Sequence, residues 1–431
     1  HNDTDYYDIP VVVHVIHAYG AENVKDSNIY AMIASLNKFY NKQNDLSGII
    51  APFRPYIGNA KIRFHLATID PEGRPTTGIT RRLSYLTNGG DDQAKMDLWS
   101  PRNYYNIWIE SKIGMTPSAG TTLAYSTFPS SAEAFPYTDG VITGYSYIND
   151  GNTIEHETGH FFNLSHTWAT SGAGAGAACG DDMVDDTPPT KGHFSTCNLW
   201  DTACATNYYK LYPSASGILD SLVNYPDTTN TQNVMDYSSC SHNMLTTGQV
   251  WRMRATLNST IGGRNNLWDT ANLRMTGALA PRPDLPPVTD YISRVAASTA
   301  IAKFTFPGVP LFFANKSWRD TIVSSTWSFT NGANTPTVTQ TSVMAYNTAF
   351  PVSFTDPGWV TVTMAVAGNN SGTTTTPYNK AVFVADLEGI NPLSTPYIEE
   401  FDATGKKDKW PFFNYYNNEF KWQADDHGVW D

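Results

Sequence analysis

The sequence is poor in charge, poorest in basic residues, and holds few cysteines. Only 16% of its 431 residues are charged, with 28 Lys and Arg against 40 Asp and Glu, giving a net charge of −12. Binding nucleic acid in general requires clustered cations to neutralise phosphates, so the balance argues against that partner. It argues equally against an anionic membrane surface. No apolar run approaches the roughly 20 residues of a membrane span; runs such as VVVHVIH, Val11–His17, are strand-sized. The N-terminus lacks the charged, apolar and small-residue succession of a signal peptide. The expectation is that any targeting or pro-segment was removed or lies outside this sequence. Internal repeats are absent. What is present, 41% hydrophobic residues, is enough to fill cores, and the length suggests two or three domains.

The four cysteines, Cys179, Cys197, Cys204 and Cys240, fall in one stretch. An even, clustered set suggests two disulfides and an oxidising compartment. Four reduced, buried thiols are the alternative. A zinc site of four thiolates is disfavoured, because no two cysteines are separated by only two residues. Sequence alone permits three disulfide connectivities.

Along the chain, IPVVVHVIHA reads as a buried strand. SNIYAMIASLNKFYNKQN places Ile29, Met32, Ile33, Leu36 and Phe39 at helical spacing. AKIRFHLATI alternates like a strand and ends in a turn at PEGRPTTG. NYYNIWIE is a further strand, GVITGYSYI follows, and the segment around His156 reads as a helix. This order predicts a mixed sheet backed by helices. Residues 167–240 are rich in Gly, Ala, Asp and Asn and have little periodicity, so they need staples. TTGQVWRMRATL closes the region as a helix. The Pro-rich stretch ALAPRPDLPPV then reads as a linker. Beyond it, short Thr-, Val- and Phe-rich runs alternate with turn signals at NGAN, DPG and GNNSG, and Trp327 is expected between two sheets.

The chemistry concentrates in IEHETGHFFNLSH, Ile154–His166. On a helix His156 and His160 are one turn apart on one face and can share a cation. Glu157 stands where metalloproteases place a general base. His166 cannot reach that cation from the same straight helix, so the chain must turn. The turn falls on Asn163, the non-Gly residue type that best tolerates the left-handed conformation. Three imidazoles leave a fourth position for water, the mark of a catalytic rather than structural zinc. His14 and His17 on the first strand read as core or rim residues. His193, His242 and His427 lie in loop-like sequence without metal spacing.

These residues, with NVMDYSSC at Asn233–Cys240, resemble the metzincins and, within them, the pappalysin-like metalloendopeptidases. The resemblance runs from about Ile9 to Gly262 and includes GRPTTGITR, TLAYSTFP, DDMVDDTPPT and GQVWRMRATL. It implies an α+β catalytic domain over residues 1–277, with a twisted sheet, an active-site helix and an irregular lower subdomain. It makes Met235 the residue of a Met-containing turn and Tyr237 the tyrosine that approaches zinc. It implies pairing of Cys179 with Cys204 and of Cys197 with Cys240. It implies structural calcium at Asp182, Asp186 and Thr187, with Asp185 a further candidate; oxygen ligands suit that ion. Some relatives that cut beside basic residues carry an acidic residue between the tyrosine and the next cysteine. Here only Ser238 and Ser239 stand there, so a basic preference is not supported. After a linker at 278–287, residues 288–386 resemble a PKD or immunoglobulin-like sandwich, on STWSF and DPGWVTVTMAVAGNNSG. Residues 387–431 read as the start of another β module. The expected activity is that of a secreted zinc endopeptidase acting on protein or peptide substrates, the β module offering a surface for carbohydrate or cell wall. The alternative is a catalytically silent zincin scaffold serving as an adhesin.

Overall fold

The structure, a computed structural model, describes residues 6–114, 122–169, 178–204, 209–213, 219–224, 228–296, 298, 300–341, 348–369 and 371–385. The chain divides into two units, His1–Pro283 and Asp284–Asp431. His427 and the stretch read as a further β module lie outside the described residues.

The first unit is organised around β1 (Tyr7–His17), every residue of which is buried. A strand covered on both faces needs a near-continuous apolar run, and this one has it. One edge of β1 is shared by two parallel strands: β2 (Ile62–Leu66) pairs with its first half and β3 (Ile79–Leu83) with its second. The other edge pairs with β4 (Tyr105–Glu110), also parallel. The antiparallel edge strand β5 (Ala124–Ser126) joins through β6 (Val141–Gly144), giving the order β2-β1-β4-β6-β5. Of GVITGYSYI only the first part is strand; Tyr145–Tyr147 turn into a 3-10 helix.

Helix α1 (Asp26–Tyr40) buries Ile29, Met32, Ile33 and Leu36, the i, i+3, i+4, i+7 stripe, in the main core with Val11, Val13 and Val15. A short helix, α2 (Pro129–Ala134), follows β5. Helix α3 (Thr153–Phe161), with every residue buried, packs along β5 and β6. The irregular stretch after it contains an unforeseen hairpin, β7 (Tyr209–Pro213) with β8 (Leu219–Asn224). Two disulfides close this region, Cys179–Cys204 and Cys197–Cys240. Helix α4 (Thr247–Leu257) begins with a capping box: Thr246 Oγ1 accepts from Gln249 N, and the Gln249 side chain accepts from Thr246 N. Short helices α5 (Arg264–Leu267) and α6 (Thr270–Met275) end the unit.

The second unit is all-β. Its larger sheet runs in the order β10 (Phe304–Thr305), β16 (Thr373–Val384), β15 (Gly358–Gly368), β12 (Ile322–Phe329), β13 (Thr337–Gln340). The smaller runs β14 (Phe350–Val352), β11 (Leu311–Asn315), β9 (Tyr291–Arg294). Side chains from both sheets form one core, with Leu311, Phe313 and Val352 against Trp327, Val362 and Met364. Trp327 is fully buried, its indole stacked in parallel with Phe329 and edge-on to Phe350.

Candidate metal centre

Helix α3 presents His156 and His160 on one face, their ring centroids 4.7 Å apart. The helix then stops abruptly. Asn163 takes a left-handed φ of 74°, its N–H donates to His160 O at 2.9 Å, and Leu164 N–H donates to Gly159 O at 2.9 Å. This pair of bonds is a Schellman cap, which redirects the chain. His166 returns to the first two imidazoles, its ring 4.6 Å from His160 and 5.1 Å from His156. One ligand nitrogen from each of the three lies within 4.8 Å of the others.

The tautomers follow from the acceptors. His156 Nδ1 lies 2.7 Å from Val234 O, and His160 Nδ1 lies 2.6 Å from Leu164 O. A carbonyl only accepts, so each Nδ1 carries the proton and each Nε2 keeps a lone pair. His156 Nε2 is buried and has no hydrogen-bond partner. His160 Nε2 and His166 Nε2 stand 3.1 Å apart. A shared divalent cation is the chemistry that satisfies three such nitrogens at once, so the donor set fits zinc. Burial holds all three imidazoles below their ordinary value, His160 to about 4 and His166 to about 3. They are therefore neutral, the metal-binding form, at neutral pH.

Glu157 is buried on the same helix, and burial pushes its carboxyl up to about 8. Tyr237 is 41% exposed. Its ring lies 4.7 Å from His166 and 5.3 Å from His156. Burial, then the charge of Glu157, raises its hydroxyl to about 12, so it stays a donor. Met235 is fully buried. A Cβ on Gly159 would fall 2.5 Å from Met235 Sδ, so the motif's glycine is the space into which the methionine packs. The turn is tied to α4 by a reciprocal amide pair: Asn233 Nδ2 donates to Gln249 Oε1 at 2.9 Å and Gln249 Nε2 to Asn233 Oδ1 at 3.0 Å.

Of the acidic candidates, Asp182 and Asp186 sit against α4. Asp186 Oδ2 accepts from Gly248 N at 2.8 Å, in the first turn of α4. Asp182 Oδ1 accepts from Val184 N, while its carbonyl accepts from Arg252. Asp186 Oδ1 and Thr187 Oγ1 are buried without a hydrogen-bond partner. His14 bonds Thr80 and Asn106 in the core, a structural role.

Spacing arguments missed several supporting groups. Trp168 stacks on His166, ring centroids 4.7 Å apart and planes 8° from parallel. Arg264, fully buried, donates bidentately to Asp139 and through Nε to Phe161 O, which fastens the C-terminal end of α3. His193 is buried between two aspartates. None of these has a local signal, because each partner is distant in sequence or outside the motif.

Known proteins are similar to this chain in sequence and fold. Residues 88–258 match the peptidase family described as pregnancy-associated plasma protein-A. An extracellular metalloprotease of Pyricularia oryzae is 33% identical over 219 residues, covering 46% of this chain and 67% of that protein. One from Verticillium alfalfae is 30% identical over 151 residues, covering 32% of this chain and 46% of its own length. Among solved structures, mature mirolysin of Tannerella forsythia in complex with a cleaved peptide superposes with a TM-score of 0.52 at 30% identity. That match covers 63% of this chain and 99% of mirolysin. Family match, extent of identity and the shared fold together place this chain in the pappalysin family of metzincins, as a zinc metalloendopeptidase.

Proposed function

We propose that the chain is a secreted endopeptidase in which His156, His160 and His166 hold zinc and Glu157 is the general base. The observation that carries this reading is the convergence of three imidazole nitrogens, two of them left as acceptors by Nδ1–carbonyl bonds, with the buried carboxyl group of Glu157 on the same helix. Zinc bound there would supply Lewis acidity, lower the pKa of its bound water towards about 7 and, as a nearby positive charge, favour the ionised form of Glu157. Glu157 takes the proton of the attacking water and returns it to the leaving amine. The Tyr237 hydroxyl donates to the oxyanion developing on the scissile carbonyl. The edge strand β5 pairs only with β6 among the described residues, which suits an extended peptide added along its other side.

Secretion is supported by the two disulfides and by relatives named extracellular. Among the described residues no helix is long and apolar enough to cross a membrane. Calcium at Asp182, Asp186 and Thr187 is supported by the two buried, unpartnered oxygens. The two-sheet core of the second unit supports an immunoglobulin-like module of the PKD kind.

Replacing Glu157 by Ala should abolish cleavage of casein while one zinc per chain remains, read by metal analysis of the dialysed protein. Full retained cleavage would overturn the assignment.

A further inference from the structure

Beside the turn that bears Met235 lies another buried imidazole with a full set of charged partners. His193 donates its backbone N–H to Asp236 Oδ1 at 2.8 Å. Its Nδ1 lies 2.9 Å from Asp236 Oδ2, and its Nε2 lies 2.9 Å from Asp201 Oδ2. An ionised carboxylate only accepts, so both ring nitrogens must carry hydrogen for both contacts to form. Thr231 Oγ1, 3.4 Å from Nε2, gives its own hydrogen to Asn198 O. Among the described residues, the charged groups facing the ring are Asp236 from the turn and Asp201 from the neighbouring loop. Burial opposes the cation, and the two carboxylates outweigh it, holding the imidazole above its ordinary value.

The residues around His193 reach Trp168 and Tyr237. Gly192 has a φ of 76°, and a Cβ there would fall 2.6 Å from the ring of Trp168, the partner stacked on His166. The Phe194 ring lies 5.3 Å from Tyr237, and Ser195 N–H donates to Tyr237 O at 2.9 Å. Thr196 O accepts from Ser239 N, and Cys197 is bonded to Cys240. Residues 192–197 therefore grip both the indole behind the third histidine and the backbone of Tyr237. The ring of His193 is the charged clasp at the head of that grip.

We propose that His193 is a positioning residue for peptide cleavage: clasped between Asp236 and Asp201, it fixes the turn bearing Met235 and Tyr237 against the histidine triad. The inference rests on the catalytic reading of Tyr237 and the triad given above. When the imidazole loses a proton, one carboxylate faces a lone pair, the clasp opens on that side, and the hydroxyl of Tyr237 loses its fixed place.

The test is the pH profile of kcat and KM for a quenched-fluorescent peptide with the zinc-loaded full chain, between about pH 6 and 9. His193→Gln should lower kcat by about tenfold or more, with KM changed less than about threefold and zinc content unchanged. Asp201→Asn keeps the histidine and removes one charge. It should move the alkaline limb of kcat down by about one pH unit. The imidazole 15N resonances of His193 should show a doubly protonated ring at neutral pH in zinc-loaded Glu157→Ala protein. Wild-type kcat in His193→Gln, an alkaline limb unmoved by Asp201→Asn, or a neutral ring at pH 7 would each overturn the inference. Should His193→Gln fail to fold, the Asp201→Asn profile and the ring resonances decide it. Activity surviving in Glu157→Ala would defeat the catalytic reading instead, and leaves the ring resonances as an independent measure of the clasp.

Discussion

From β1 to α3 the first unit is built of periodic apolar sequence, and most of its side chains meet in the main core, with smaller clusters around Trp108 and Tyr104 on the sheet's other face. From Leu164 to Thr246 the described residues, the β7–β8 hairpin apart, are loops that send Leu164, Val234, Met235 and Leu245 into the main core and are otherwise tied by point contacts: two disulfides, the His193 clasp, the Asn233–Gln249 amide pair and the Asp186 contact with α4. Both regions supply the site. The first delivers His156, Glu157 and His160 by helical repeat; the second delivers Met235 by packing against Gly159 and Tyr237 on a turn held by cross-links. Hydrophobic burial is non-directional and tolerates adjustment, whereas a hydrogen bond or a disulfide holds one particular geometry. The difference teaches that the helix carrying two of the three imidazoles depends on cooperative packing, while the turn carrying Tyr237 depends on a few separable bonds.

The largest effect should come from the buried Arg264–Asp139 ion pair, whose arginine also holds the C-terminal end of α3 through Phe161 O. Arg264→Ala leaves Asp139 buried and unpaired, which costs about 3–5 kcal/mol. Thermal unfolding should show a cooperative loss of the whole first unit. If only the region after residue 164 loosened, the proposed division would be wrong. Replacing both partners by apolar residues of similar size should recover most of the loss.

A smaller and more local effect is expected from the second disulfide. Cys197 and Cys240 are 43 residues apart. Removing both thiols by Cys→Ser exchange should cost about 2–4 kcal/mol. Amide exchange should quicken across residues 236–240 while β1 and α1 stay protected. Equal loss of protection in β1 would show that the loop region and the sheet form one cooperative body.

The smallest effect concerns a carboxyl on the opposite face of β4 from Tyr105, Ile107 and Ile109. Both oxygens of Glu110 are buried without a partner, and burial, then the charge of Asp91, raises its pKa to about 9. A folded value above the unfolded one, about 4.3, means that the folded state binds the proton more tightly. Stability from this group is thus whole at acid pH and declines as pH rises from about 5 through 9. Glu110→Gln should stabilise the unit by about 1–3 kcal/mol at pH 8 and flatten that decline. An unchanged melting temperature at pH 8 would show that the carboxyl finds a partner in solution.

Much of the first region was legible because each residue's role repeats at a fixed interval. The stripe from Ile29 to Leu36 and the His156–His160 spacing need only one helix to be understood. The turn at Asn163 was legible for a related reason, since few side chains tolerate a left-handed φ. The division of the edge of β1 between β2 and β3 was not, because register belongs to two separate segments. The hairpin from Tyr209 to Asn224 was missed in a stretch read as irregular. His193 was read as an ordinary loop residue, since nothing in GHFSTC announces Asp236.

The sequence by itself determined which residues could bind a metal, on what element two of them ride, and where the chain must turn to bring the third. Only the tertiary structure decided which nitrogen of each histidine is offered, since that depends on the carbonyls of Val234 and Leu164. It alone placed Met235 in the space left by Gly159 and His193 between Asp201 and Asp236. The physical reason is range: helical and turn preferences act over a few residues, whereas tautomer, packing and charge are set by whichever distant atoms the fold brings within contact.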